Sequence, residues 1–285
     1  MDTLTLIAES KIHRLLPGSG PDSRLEASGL IALQDRLIIV FDNLSQAAII
    51  DASLALGAGN RWIGEENGIT GFEDITYDDI DRRYFVLIEA VPGSGSSFQA
   101  KVVEYDDAFN RRGSHRLPFD FDRANKGFEG LTYVRRNGHF FLLALCEGNH
   151  CKGGSAGREP GGGRIQVFQK AGDGWEHVDS LKMPPTVQFV DHASLDIRDG
   201  RVAVLSQECA QLWIGTLHPA RWDVVDEGVV YALPTDEQGE TIYCYAEGVA
   251  WMTPDRVAVV SDRKKQGDPK RCAEKDESVH IFRIP

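Results

Sequence analysis

Five short segments of this 285-residue chain each open on a residue with a side-chain oxygen, followed by small or apolar positions. They are Ser28-Gly29-Leu30, Glu73-Asp74-Ile75, Glu129-Gly130-Leu131, Ser194-Leu195 and Glu247-Gly248-Val249. Carboxylate and hydroxyl oxygens are hard donors, of which calcium collects roughly six to eight at about 2.3–2.6 Å. Neither imidazole nor thiolate stands at the five positions, which argues against zinc. Three carboxylates gathered in a low-dielectric interior repel one another and take up protons unless a cation compensates them. Ser28, Glu73, Glu129, Ser194 and Glu247 are therefore expected to hold one divalent cation. Ca2+ comes before Mg2+, which demands stricter octahedral geometry.

Distant residues meet only if the elements carrying them converge. The five segments recur at intervals of about 45–65 residues, and self-similarity at such a period marks a repeat architecture. Each unit reads alike: a first strand, a polar turn, a strongly apolar second strand such as residues 37–41 or 140–145, then a third and a fourth. This predicts an all-β, five-bladed β-propeller of four-stranded blades, one domain over residues 1–285. The last blade shows only three strands, while residues 4–15 belong to no unit. An N-terminal strand is expected to close that blade and cover its open edge. Innermost strands run along the axis of a propeller, so the five residues face one another, and glycine at 29, 130 and 248 suits a crowded centre. The Gly-rich run 153–163 reads as a loop of the third blade, without the Gly-Lys-Ser/Thr ending of a phosphate loop.

A hairpin returns the end of its second strand to the level where its first began. The residues placed there are Asp42 with Asn43, Glu89, Glu147 with Asn149 and His150, Glu208, and Asp262 with Arg263. They form either a carboxylate-rich mouth or ordinary turn chemistry, since Asp and Asn end strands by bonding the backbone. As a hydrolase, the site takes its general base from Asp42, Glu147, His192 or His150. Lys101, Arg164 and Arg263 offset charge on an anionic substrate, and Asn43, Glu89, Asn149, Glu208 and Asp262 face it. An acidic mouth disfavours a nucleotide diphosphate and suits a neutral ester, a lactone or a cation-bearing compound.

The order Ser28, Glu73, Glu129, Ser194, Glu247, with the segment Ala246-Glu247-Gly248-Val249, resembles the calcium-activated nucleotidases of the apyrase family. That resemblance implies a five-bladed propeller with a central calcium held by Ser and Glu of the inner strands. More loosely, the chain is similar to esterase-like phytase, SdiA-regulated and lactonase propellers. The nucleotidase's substrate-contacting segments find no match. The expected function is calcium-dependent hydrolysis of a small phosphate ester, ester or lactone. The alternative is a non-catalytic propeller in which calcium locks the blades and the faces bind a protein or carbohydrate partner.

A net charge of −12 argues against nucleic acid, and no run approaches the ~20 apolar residues of a membrane span. Residues 1–9 lack a basic lead and a cleavage site, so no leader is expected. Five cysteines, an odd number, predict reduced thiols and a cytoplasmic protein. Cys146-Glu147-Gly148-Asn149-His150-Cys151 can hold zinc with Cys209 or Cys272, or close a loop disulfide, and free thiols are the expectation.

Overall fold

Apolar residues on both faces of a strand need a neighbour on both sides, and the second strand of every unit is of this kind. In the computed structural model, which describes all residues except 67, 94–96 and 125, these strands are Arg36–Phe41, Arg83–Pro92, His139–Cys146, Arg201–Ser206 and Arg256–Ser261. Each pairs antiparallel with an innermost strand: Ala27–Leu33, Phe72–Asp78, Phe128–Arg136, Ser194–Arg198 and Ala246–Thr253. A third and a fourth strand complete each sheet, giving five blades in a ring. The fold is a five-bladed β-propeller.

Alternation along the second strands sends side chains into the two flanking interfaces. In the fifth blade, Val257 and Val259 pack toward the fourth, and Ala258 and Val260 toward the first. Among the described residues the buried apolar side chains fall into five clusters, each between adjacent blades. The core is thus a wheel of interfaces around an axis that carries polar groups.

The N-terminal strand Thr5–Lys11 lies on the outer edge of the fifth blade, antiparallel to Ser278–Arg283. Asp2–Thr3 adds a parallel rung to Val229–Ala232 of the fourth blade. The start of the chain therefore stitches two blades together. Cys146 is bonded to Cys151 and Cys244 to Cys272, leaving Cys209 free. This corrects the expectation of free thiols: the turn after the second strand of blade three brings Cys151 back beside Cys146. No helix among the described residues is long and apolar enough to cross a membrane.

Candidate metal centre and its cavity

Four of the five inner strands open with a β-bulge, and the bulged residue is Ser28, Glu73, Glu129 or Glu247. A bulge inserts an unpaired residue and re-aims its side chain. The residue after each bulge, Gly29, Asp74, Gly130 or Gly248, pairs with Val40, Leu87, Leu145 or Val260 of the second strand. In the fourth blade the residue with this pairing is Ser194, opposite Leu205. The place equivalent to the ring glutamates is therefore held by Ala193.

Ser194 is thus not a ring residue. Its hydroxyl lies one layer below, donating to Asp74 Oδ2 at 3.2 Å and accepting from the Val249 N–H at 3.2 Å. Asp74 also accepts from the N–H groups of Ile75 at 2.9 Å and Leu131 at 2.8 Å, so it plugs the axis under the ring. The glycines make this possible: a Cβ on Gly29 would stand 2.5 Å from the Asp74 Cα. The same one-residue slip affects the rim. Asp42, Glu147 and Asp262 follow their second strands directly, Glu89 takes the same place within the longer strand of blade two, after Ile88 opposite Phe72, and the fourth-blade residue there is Gln207. Glu208 instead points outward to Arg158, with Nη2 to Oε2 at 2.6 Å. A slip of one in a period-2 element moves a side chain to the other face.

Above the ring opens a cavity of about 750 Å³ bordered by Glu73, Glu129, Glu247 and the rim carboxylates Asp42, Glu89, Glu147 and Asp262. Arg24, Arg263, Lys264 and Lys265 stand among them, so eight lining carboxylates, Glu26 included, outnumber four cations. Carboxylate oxygens of Glu89, Glu129 and Glu147 lie within 4.8 Å of one another. Glu147 Oε1 pairs with Lys126, whereas its buried Oε2 has no partner among the described residues. Ser28 donates to the Phe72 carbonyl at 2.5 Å, which leaves its hydroxyl lone pairs available.

The electrostatics follow from this crowding. Burial, then the charges of Glu89 and Asp42, push the Glu73 carboxyl up to about 8, although it shares a hydrogen bond with Glu129. Burial and then Glu147 push Glu89 up to about 7. Glu129 and Glu247 are driven well above the usual carboxylate range by burial first, then by Glu73 for the former and Asp262 for the latter. Burial followed by the charge of Glu26 raises Asp262 to about 6. Asp42 is raised by burial, and again Glu26 adds to it. Such a set is costly when ionised and empty, and it relaxes when a hard cation enters. The donors present fit calcium.

Several sequence candidates lie elsewhere. His192 is wholly buried. Its Nδ1 donates to the Glu147 carbonyl at 3.0 Å, and its Nε2, without a partner among the described residues, lies beside Gly163. It occupies the place filled by Phe72 and Phe128 in other blades, and burial lowers it to about 4, so it is neutral. His150 stands on the outside of its turn, Nδ1 3.2 Å from Arg164 Nη2. Arg164 also donates to the Gly163 carbonyl at 2.8 Å. Asn149 is fully used inside the loop, donating to the carbonyls of Gly157 at 3.1 Å and Phe189 at 3.0 Å and accepting from the Gly162 N–H at 2.9 Å. Asn43 pins the segment carrying Arg24 and Glu26. Lys101 sits in the third strand of blade two, opposite Ile88 and Arg116. None of these residues lines the cavity, and of them His192 alone borders the smaller recess beside it.

Residues that sequence reasoning passed over also line the site: Asp191, Gln207, Lys265, Glu26 and Arg24. Gln207 carried a signal, since it follows its second strand as the rim acids follow theirs. The others come from loops with no repeat to mark them.

Comparison with known proteins adds the fold and little more. No protein-family model matches the chain, and no curated protein sequence does. Among solved structures, the Myxococcus xanthus glutaminyl cyclase is similar at a TM-score of 0.50 and 12% identity, covering 99% of this chain and 96% of that one. The PQQ-bound aldose sugar dehydrogenase of Streptomyces coelicolor gives 0.49 and 12%, covering 97% and 98%. At this identity the likeness speaks for a propeller architecture alone.

Proposed function

We propose that this propeller binds one calcium ion at Ser28, Glu73, Glu129 and Glu247, and that it hydrolyses a small phosphate ester, ester or lactone in the cavity above. The observation that carries the reading is the concentration of buried carboxylates with no cation among the ring residues, beside a carboxylate oxygen of Glu147 that has no partner among the described residues. When bound there, calcium supplies polarisation of a carbonyl or phosphoryl oxygen. The chain's own residues supply the rest. Asp42 and Glu89, raised and facing the cavity, are placed to take a proton from an attacking water. Lys265 and Arg263 offset negative charge on the reacting group.

The open volume above the ring supports catalysis over a purely structural ion, which would be enclosed by protein donors. The resemblance to the calcium-activated nucleotidases rests on the three ring glutamates and Ser28, since the fourth-blade serine lies outside the ring. The two disulfides support an oxidising compartment rather than the cytoplasm.

The test combines calorimetric titration of calcium with a screen of phosphate ester, nucleotide, carboxyl ester and lactone substrates, with and without calcium. Asp42→Asn should abolish turnover while calcium binding persists. Absence of calcium binding to the wild type ends the metal reading, and calcium binding without turnover of any substrate class favours the scaffold.

A further inference from the structure

The ring is not five-fold. Where the other blades offer Ser28, Glu73, Glu129 and Glu247, the fourth offers the methyl group of Ala193, and its rim position carries neutral Gln207 in place of an acid. The space this leaves is not filled by neighbours. A recess of about 180 Å³ lies against Ala193, bordered by Asp191, Gln207, Lys265 and the ring glutamates.

We infer that this notch is where an anionic oxygen group of the substrate, phosphoryl or carboxylate, completes the donor set of the bound cation. The inference rests on the calcium reading above. Three features carry it. First, a calcium ion needs roughly six to eight oxygens, and the fourth blade supplies none at ring level. Second, the polar groups beside the notch are already engaged, Asp191 by partners outside the ring and Gln207 by Glu247 of the ring itself. Asp191 accepts from Ser206 Oγ at 2.5 Å and from the Glu208 N–H at 3.1 Å, and Gln207 turns its amide nitrogen to Glu247 Oε1 at 2.9 Å. Third, Lys265 borders both the main cavity and the recess and forms no ion pair among the described residues, so its ammonium is available to an anion. In the absence of a ligand, water takes the place.

Europium(III), a hard cation close to calcium in size, reads this directly, because its luminescence lifetime in H2O and D2O counts coordinated waters. The wild type should keep at least one water more than Ala193→Glu, and inorganic phosphate or acetate should displace water from the wild type but not from that variant. Whichever of the two probes acts at lower concentration identifies the phosphoryl or the carboxylate class. Calcium affinity of Ala193→Glu should rise on the order of tenfold, as ligand charge count tunes calcium sites. Ala193→Ser, which copies Ser28 with a smaller side chain, should show the same loss of water if the glutamate variant does not fold. Equal water counts in the wild type and a folded variant would overturn the notch while leaving the metal site intact. Failure of europium and calcium alike to bind the wild type removes the calcium reading itself.

Discussion

At the scale of single residues, the centre is a contest between repulsion and coordination. Glu129 is buried against Glu73, Glu147 and Glu89. Glu129→Gln keeps the shape and removes the ionisable group. Without calcium it should stabilise the protein by on the order of 1 kcal/mol, about 2–4 °C in Tm, since a buried carboxyl driven up in this way must take up a proton on folding, a cost the neutral amide does not carry. With calcium present the sign should reverse, because a donor is lost. Scanning calorimetry in both conditions checks this, and the same sign in both would argue that no cation enters. The ring glutamates were legible because an acid opening a hydrophobic strand, ordinary when met once, recurs from unit to unit. The fourth blade misled because Ala193-Ser194 holds its only oxygen one place late, and Gln207-Glu208 repeats the trap.

At the scale of elements, the N-terminal strand decides whether the ring stays shut. Glu9 accepts from Lys275 Nζ at 2.8 and 3.0 Å and lies 3.2 Å from His280 Nδ1. The His280 hydrogen bond first, and Lys275 after it, hold the Glu9 carboxyl at about 2. A carboxyl lowered in the folded state contributes stability that is present above its unfolded value of 4.5 and lost as pH falls through about 2. Glu9→Gln should therefore flatten part of the acid limb of the stability curve in that window and leave its slope near neutrality unchanged. Denaturation at a series of pH values measures the difference, and superimposable acid limbs would mean that the strand is not held through Glu9. The strand's role was readable from the unit that lacked a fourth strand. Its partners His280 and Lys275 were not, since they lie more than 260 residues away in sequence.

At the scale of the whole molecule, a central ion would touch several blades at once, and only the closed ring assembles its donors. A ligand that binds the folded state alone stabilises it by mass action, about 2.7 kcal/mol at a hundredfold excess over Kd. Calcium should accordingly raise the thermal midpoint and a chelator lower it, with the increment growing logarithmically with calcium concentration. A midpoint indifferent to both would remove the cation from the account.

Blade number, strand order within each unit and the closing strand are written in local patterns: alternation, turn residues and a recurring acid. Each of these is a property of a few consecutive residues. The fourth-blade register, the burial of His192 between blades and the two disulfides were settled only in three dimensions. The reason is physical. A shift of one residue barely changes the hydrophobic pattern of a short strand, yet it exchanges the layer facing the axis for the layer beneath it, and only packing against neighbouring blades selects between the two.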